Sequence, residues 1–292
     1  MSSGKGHVVL GVIVGLLYPG GALATATGKP EPARLTAAQI VQKHLAARGG
    51  AQAWQKVQSM AWNGTMEVGF GDSVARSEGF VSTAAKRGKG PRAPSATEGK
   101  DANRKQVALP FSVEMKRPGR ERSELEFAGK TAVQVYDGKN GWLLRPYLNR
   151  DDWEPFSAEQ AKAQRQDEWG LGGPLMNAAA QGTKVELASV ERVEGRDAYK
   201  LKLTHKGGEV QHLWIDAKSF LDVKVEGTPR RMDGKLRSVF VTARDFRPVK
   251  GLLVPFVLET AVDGTAGTHK MVIEKVALNP PLADGRFAKP KT

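Results

Sequence analysis

Apolar and polar residues alternate along most of this chain with a period of two, and one stretch near the start follows the helical period instead. There Ile40, Val41 and Leu45 recur on one helical face, Thr36 and Gln39 fit a capping box, Leu35 and Ile40 fit a hydrophobic staple, and Gly49-Gly50 supply the stop. A second short helix is expected around Trp54 and Val57. From Ser59 the period changes to two, with Trp62, Met66, Val68 and Phe70 against Asn63, Thr65 and Glu67. The same alternation returns in Tyr199, Leu201 and Leu203, and again in Leu221, Val223 and Val225. Hairpin turns are marked at Asp137-Gly138, Gly207-Gly208, Asp233-Gly234 and Asp263-Gly264, so strands adjacent in sequence should pair antiparallel, as a meander with one apolar face.

Two segments interrupt the alternation. Residues 86–105 hold seven basic and two acidic residues among Gly and Pro, which predicts a flexible basic loop with little to bury. Residues 157–182 open on a second capping box, Ser157 and Gln160, and carry Trp169, Leu171, Leu175 and Met176 around Gly170, Gly172, Gly173 and Pro174. This predicts an amphipathic helical insertion broken in two, of the kind that could act as a lid over a cavity, with Met suited to varied apolar ligands.

The first residues read as an export signal. Lys5 precedes an apolar run from Val8 to Tyr18, and Ala24-Thr25-Ala26 forms an A-x-A cleavage site. The run is shorter than the ~20 residues of a membrane-spanning helix. The expected organisation is a signal peptide over 1–26, cleaved near Ala26, a leader over 27–34, and a single domain over 35–290; the product is expected to be soluble and periplasmic. The chain has no cysteine, which removes disulfides, thiol nucleophiles, Cys-ligated zinc, iron–sulfur clusters and a lipidated N-terminal Cys. Lys and Arg number 44 against 31 acidic residues in 292, a net charge of +13 that favours anionic partners such as a membrane surface; export argues against nucleic acid.

Candidate chemistry is sparse. His205 and His212 flank the Gly207-Gly208 turn and could share a metal if they faced one another, but only Glu209 and Asp216 are near enough in sequence to complete a site. His44 and His269 have no nucleophile or acid at recognisable spacing, and Asp151-Asp152 fits a solvated loop better than an acid/base pair. Nucleotide-binding, zinc-protease and nucleophile-elbow motifs are missing, so no catalytic residue, metal or cofactor is expected.

Several phrases resemble the LolA/LolB-like family of outer membrane lipoprotein-sorting proteins. They are the helix ending in Gly-Gly with Ala53-Trp54, SMAWNGTMEVG from Ser59, YDGKNGW from Tyr136, LWIDAKSFLDVKVE from Leu213, DFRPVKGLLVPF from Asp245 and NPPLADGRFAKP from Asn279. The resemblance implies an antiparallel sheet curled into an unclosed half β-barrel covered by helices, whose apolar interior takes up acyl chains. It also implies an arginine gate on an early strand, for which Arg76 is the nearest candidate, whereas the 86–105 loop departs from the family pattern. On this reading the cavity lining is Trp62, Met66, Val68, Phe70, Tyr199, Leu201, Leu203, Val223 and Val225, and the lid is Trp169, Leu171, Leu175 and Met176. The expected function is a periplasmic lipid or lipoprotein carrier working between a membrane-bound donor and acceptor. The alternatives are an envelope-stress sensor of RseB-like type, whose second domain finds no room after Leu278, and an exported metal-dependent enzyme.

Overall fold

A computed structural model of the chain describes residues 35–69, 106–166, 171–232, 234–265 and 268–289. The helical period at the start becomes α1 (Ala37–Ala47) and α2 (Ala51–Gln55). Both halves of the predicted capping box form: the Gln39 amide donates to the Thr36 hydroxyl, and the Thr36 amide to the Gln39 side chain. Leu35 packs against the cluster that contains Ile40, as the staple requires.

Six strands then follow: β1 (Ser59–Gly69), β2 (Gln106–Lys116), β3 (Arg120–Phe127), β4 (Lys130–Tyr136), β5 (Gly141–Arg145) and β6 (Arg150–Pro155). After α3 (Ala158–Gln166) come seven more: β7 (Lys184–Val193), β8 (Arg196–Thr204), β9 (Val210–Asp216), β10 (Asp222–Met232), β11 (Lys235–Val249), β12 (Leu252–Val262) and β13 (Thr268–Leu278). These strands form one 13-stranded antiparallel sheet in the order β6-β5-β4-β3-β2-β1-β13-β12-β11-β10-β9-β8-β7. Every pairing but one joins neighbours in sequence, as hairpin-forming turns dictate; the exception is β1 with β13, which brings the first and last strands together mid-sheet.

Local chemistry explains the turns and irregularities. In the β4–β5 turn the Asp137 carboxylate accepts from the Lys139 and Asn140 amides, and Gly138 takes φ 99°. Asp233 lies outside the described residues. Between β1 and β13 the register shifts at Asn63/Gly64, where a side chain on Gly64 would run into the Val272 carbonyl, so only glycine fits.

The sheet is an unclosed barrel. Among the described residues, β6 and β7 are its two edges, and α3 and residues 171–183, which lie between them in sequence, pack on the concave side. The edges are guarded: β6 is six residues long, exposes Arg150, Asp151 and Asp152 and ends in Pro155. Of the insertion's two predicted helical pieces, α3 forms, with Ser157 and Gln160 as its capping box. Residues 171–182 run in turns instead of a second helix, because Gly172 and Gly173 adopt φ of 110° and 87° and Pro174 follows directly.

Candidate functional site

The apolar positions of most strands converge on the concave face. One cross-sheet row runs Leu187, Leu201, Leu213, Val225, Val241 through β7–β11, and another runs Ala243, Leu258, Met271, Met66, Leu109 through β11–β13, β1 and β2. Because side chains alternate faces, each row lies on one side of the sheet. No second sheet covers this surface among the described residues. Ile40 of α1 packs on Leu201, Leu213 and Val225, Trp54 of α2 joins the cluster of Trp62, Met66 and Phe111, and the turn segment contributes Leu175 to the first group and Met176 to the second.

Helix α1 is held in place by buried charge. Arg48, its C-cap, is 3% exposed; its Nη1 donates to Asp222 Oδ2 at 2.6 Å and its Nε to the Leu253 carbonyl at 2.8 Å. The guanidinium lies over the Trp54 and Phe246 rings, and the Trp54 indole donates to the Arg48 carbonyl. One turn earlier His44 bonds through Nδ1 to the Phe220 carbonyl at 2.9 Å and sets Nε2 3.7 Å from Asp222 Oδ1. Burial pushes the His44 imidazole below its usual pKa, and neighbouring Arg48 adds to this, while Asp222 and the Phe220 carbonyl oppose it. The covering helix is therefore tied to the start of β10 by a buried ion pair and to the start of β12 by a hydrogen bond.

Of the expected lining, Trp62, Met66, Leu201, Leu203 and Val225 are buried in the concave clusters, and Tyr199 is half-buried there, stacked on Phe220. Val223 lies elsewhere. The β9–β10 register shifts between Asp222 and Lys224, and this bulge turns Val223 away from Val225 into a small cluster with Ala198 and Trp214. Trp214 sits on the convex side, beneath Lys224 and Lys200, and donates to Glu191, whose carboxyl that bond holds down at about 2. Of the expected lid, Leu171 is half-buried and Leu175 and Met176 are buried. Phe70, Arg76, Trp169, the side chain of Val68, residues 1–34 and the 86–105 loop lie outside the described residues.

His205 and His212 do not meet. The register pairs Lys202 with His212 and Thr204 with Val210, which puts the two imidazoles on opposite faces; His212 Nδ1 bonds Glu226 at 2.6 Å, and His205 approaches Thr183. Among the described residues no group of three or more His, Asp or Glu could hold a metal ion. No described helix is long and apolar enough to cross a membrane. Sequence reasoning missed the His44–Asp222–Arg48 cluster, in which Asp222 lies 174 residues from Arg48, although a His and an Arg four residues apart on the buried stripe of α1 were a signal that a polar partner must exist.

Among the described residues, cavities border the concave face. One, of about 650 Å³, lies beneath α2 and is lined by Gly49, Val57, Leu252 and Leu278 among others. Another, of about 300 Å³, opens where the insertion meets β2–β4, between Met115 and Leu171 on its apolar side and Arg120, Glu121, Tyr136 and Gln164 on its polar side.

No protein-family model matches the chain, and no curated protein sequence matches it. Among solved structures, the chain is similar to a LolA superfamily protein from Nitrosomonas europaea, at 16% identity and TM-score 0.51, with 88% of this chain and 99% of the other covered. It is also similar to a DUF1329 family protein from Desulfovibrio piger, at 12% identity and TM-score 0.50, with 85% and 97% covered. With the sheet order and the helices over its hollow already in hand, these likenesses identify the architecture of this chain as the LolA-like fold.

Proposed function

We propose that this protein is an exported carrier that shelters the acyl chains of a lipid or lipoprotein against the concave face of its half-barrel. The observation that carries the reading is the cover: an apolar surface spanning most of the sheet is closed off by two helices and a glycine-hinged turn segment, none of them part of the sheet. Burying the side chains of Leu175 and Met176 is worth about 1.5–3 kcal/mol each. A hydrocarbon tail gains about 0.8 kcal/mol per buried CH₂, roughly 13 kcal/mol for sixteen carbons. One tail therefore outweighs the two plug side chains it displaces, so loading needs opening of the segment and not a nucleotide. Unloading follows from transfer to a membrane-bound acceptor that binds the cargo more tightly, and the net charge of +13 steers the protein toward anionic membrane surfaces.

The test is mass spectrometry of organic extracts from protein purified natively from the periplasm, with uptake of a fluorescent fatty acid measured in parallel. Co-purified lipid and saturable uptake are expected, and Leu201→Asp, with folding followed by circular dichroism, should abolish uptake. A lipid-free protein that takes up no fatty acid refutes the carrier reading.

A further inference from the structure

The concave face is not apolar throughout. Followed across the sheet, the row Met60, Met115 continues into Glu121 and Tyr136, and the row Trp62, Val113 continues into Ser123 and Gln134. In these two rows the chemistry of the surface thus switches from apolar to polar between β2 and β3, while the row Phe111, Leu125, Ala132 stays apolar. Helix α3 covers the polar part: Gln134 Nε2 donates to Gln164 Oε1 at 2.6 Å, and Gln164 Nε2 to Glu121 Oε2 at 3.0 Å.

That covering is incomplete in a particular way. Buried polar atoms are almost always hydrogen-bonded. Here the Tyr136 hydroxyl, Gln134 Oε1 and Gln160 Nε2 have no partner, in side chains 3%, 6% and 5% exposed, and the Trp62 indole N–H, three strands from Gln134 along its row, has none either. The 300 Å³ cavity, within the size range of small-molecule sites, has Tyr136 in its wall together with Lys116, Arg117 and Arg120. Lys116 and Arg120 share a single carboxylate, Asp284, while Arg117 donates to the Val57 and Leu171 carbonyls, which leaves its charge unneutralised by these bonds. On the cavity's other side Met115 and Leu171 belong to the apolar cluster, so cavity and hydrocarbon surface are continuous.

We infer that this cavity is a head-group subsite for an anionic amphiphile, taking its phosphate while the chains lie along the apolar face. The inference rests on the carrier reading and adds its ligand class. Phosphate oxygens only accept, and in this cavity they meet donors in the Tyr136 hydroxyl and the cationic rim. A purely hydrocarbon cargo would leave the Tyr136 hydroxyl unpaired.

The experiment uses the full mature chain with vesicles of phosphatidylglycerol or phosphatidylcholine bearing identical acyl chains, and inorganic phosphate as a third ligand. Phosphatidylglycerol should bind about tenfold more tightly than phosphatidylcholine. Tyr136→Phe removes a hydroxyl that bonds nothing in the protein, so it should leave Tm unchanged and lower phosphatidylglycerol affinity about fivefold. Arg120→Gln, at a partly exposed position, should narrow the preference between the two lipids. Equal binding of both lipids with no effect of either variant overturns the subsite and leaves the carrier intact. Binding of inorganic phosphate that weakens in Tyr136→Phe, with neither lipid bound, overturns the head-group assignment and the carrier together.

Discussion

Replacing Asp222 by alanine strips the partner from a guanidinium that the fold has taken out of water. Arg48 would keep its bond to the Leu253 carbonyl and its two aromatic faces, but its charge, 3% exposed, would have no counter-charge within reach, and His44 would lose the carboxylate at 3.7 Å. Breaking a buried pair in this way costs about 3–5 kcal/mol. At about 2–4 °C per kcal/mol for a chain of this size, the expected drop in Tm is roughly 10 °C. The double variant Arg48→Met with Asp222→Leu removes both charges and fills the space with hydrocarbon, so it should recover most of the loss, short of the roughly 1 kcal/mol of the Leu253 bond. Urea titrations followed by tryptophan fluorescence suit the measurement, because the Trp54 indole bonds the Arg48 carbonyl and reports on this junction. A loss below about 1 kcal/mol in Asp222→Ala, or a double variant no more stable than the single one, would refute the view that a buried ion pair anchors the covering helix.

His44 gives the same junction a pH dependence. Its folded pKa lies below the unfolded value near 6.5, so the unfolded chain binds the proton more readily; stability is full above about pH 6.5 and declines as the pH falls from there toward the folded pKa. The urea midpoint should drop between pH 7.5 and 5.5, and the drop should shrink in His44→Gln; equal slopes in the two proteins would sink the argument. Gly64→Ala should destabilise by about 1–3 kcal/mol, because the methyl collides with the Val272 carbonyl in the β1–β13 ladder, and hydrogen exchange should quicken first at Asn63–Met66; an unchanged melting curve counts against the assigned register.

Much of the fold can be read locally from the sequence, since its signals span a few residues. The Thr36–Gln39 and Ser157–Gln160 caps, the turn at Asp137-Gly138 and the alternation through Tyr199–Leu203 all form as the pattern predicts. What fails is what depends on partners distant in the chain. The bulge that turns Val223 outward depends on the β9–β10 register, and strict alternation cannot anticipate an extra residue. The absent second helix at 171–182 is a case of apolar content outvoting two glycines and a proline. The polar rows of the concave face were visible in outline, since Glu121, Ser123, Gln134 and Tyr136 also occupy alternate positions, but a search for apolar stripes passes over a stripe made of hydrogen-bonding groups. Nothing in the sequence states that β1 pairs with β13, or that Arg48 meets Asp222.

The central pairing of β1 with β13 divides the molecule along its sequence. Strands β1–β6 come wholly from residues 59–155 and β7–β13 wholly from residues 184–278, and a single ladder is the seam between them within the sheet. Each half can zip up hairpin by hairpin through short-range contacts, whereas the seam must wait for segments some two hundred residues apart to find each other. Assembly should therefore resemble the docking of two prefolded meanders. Co-expressed fragments divided within the insertion should reconstitute the sheet, with the seam as the step that responds to fragment concentration.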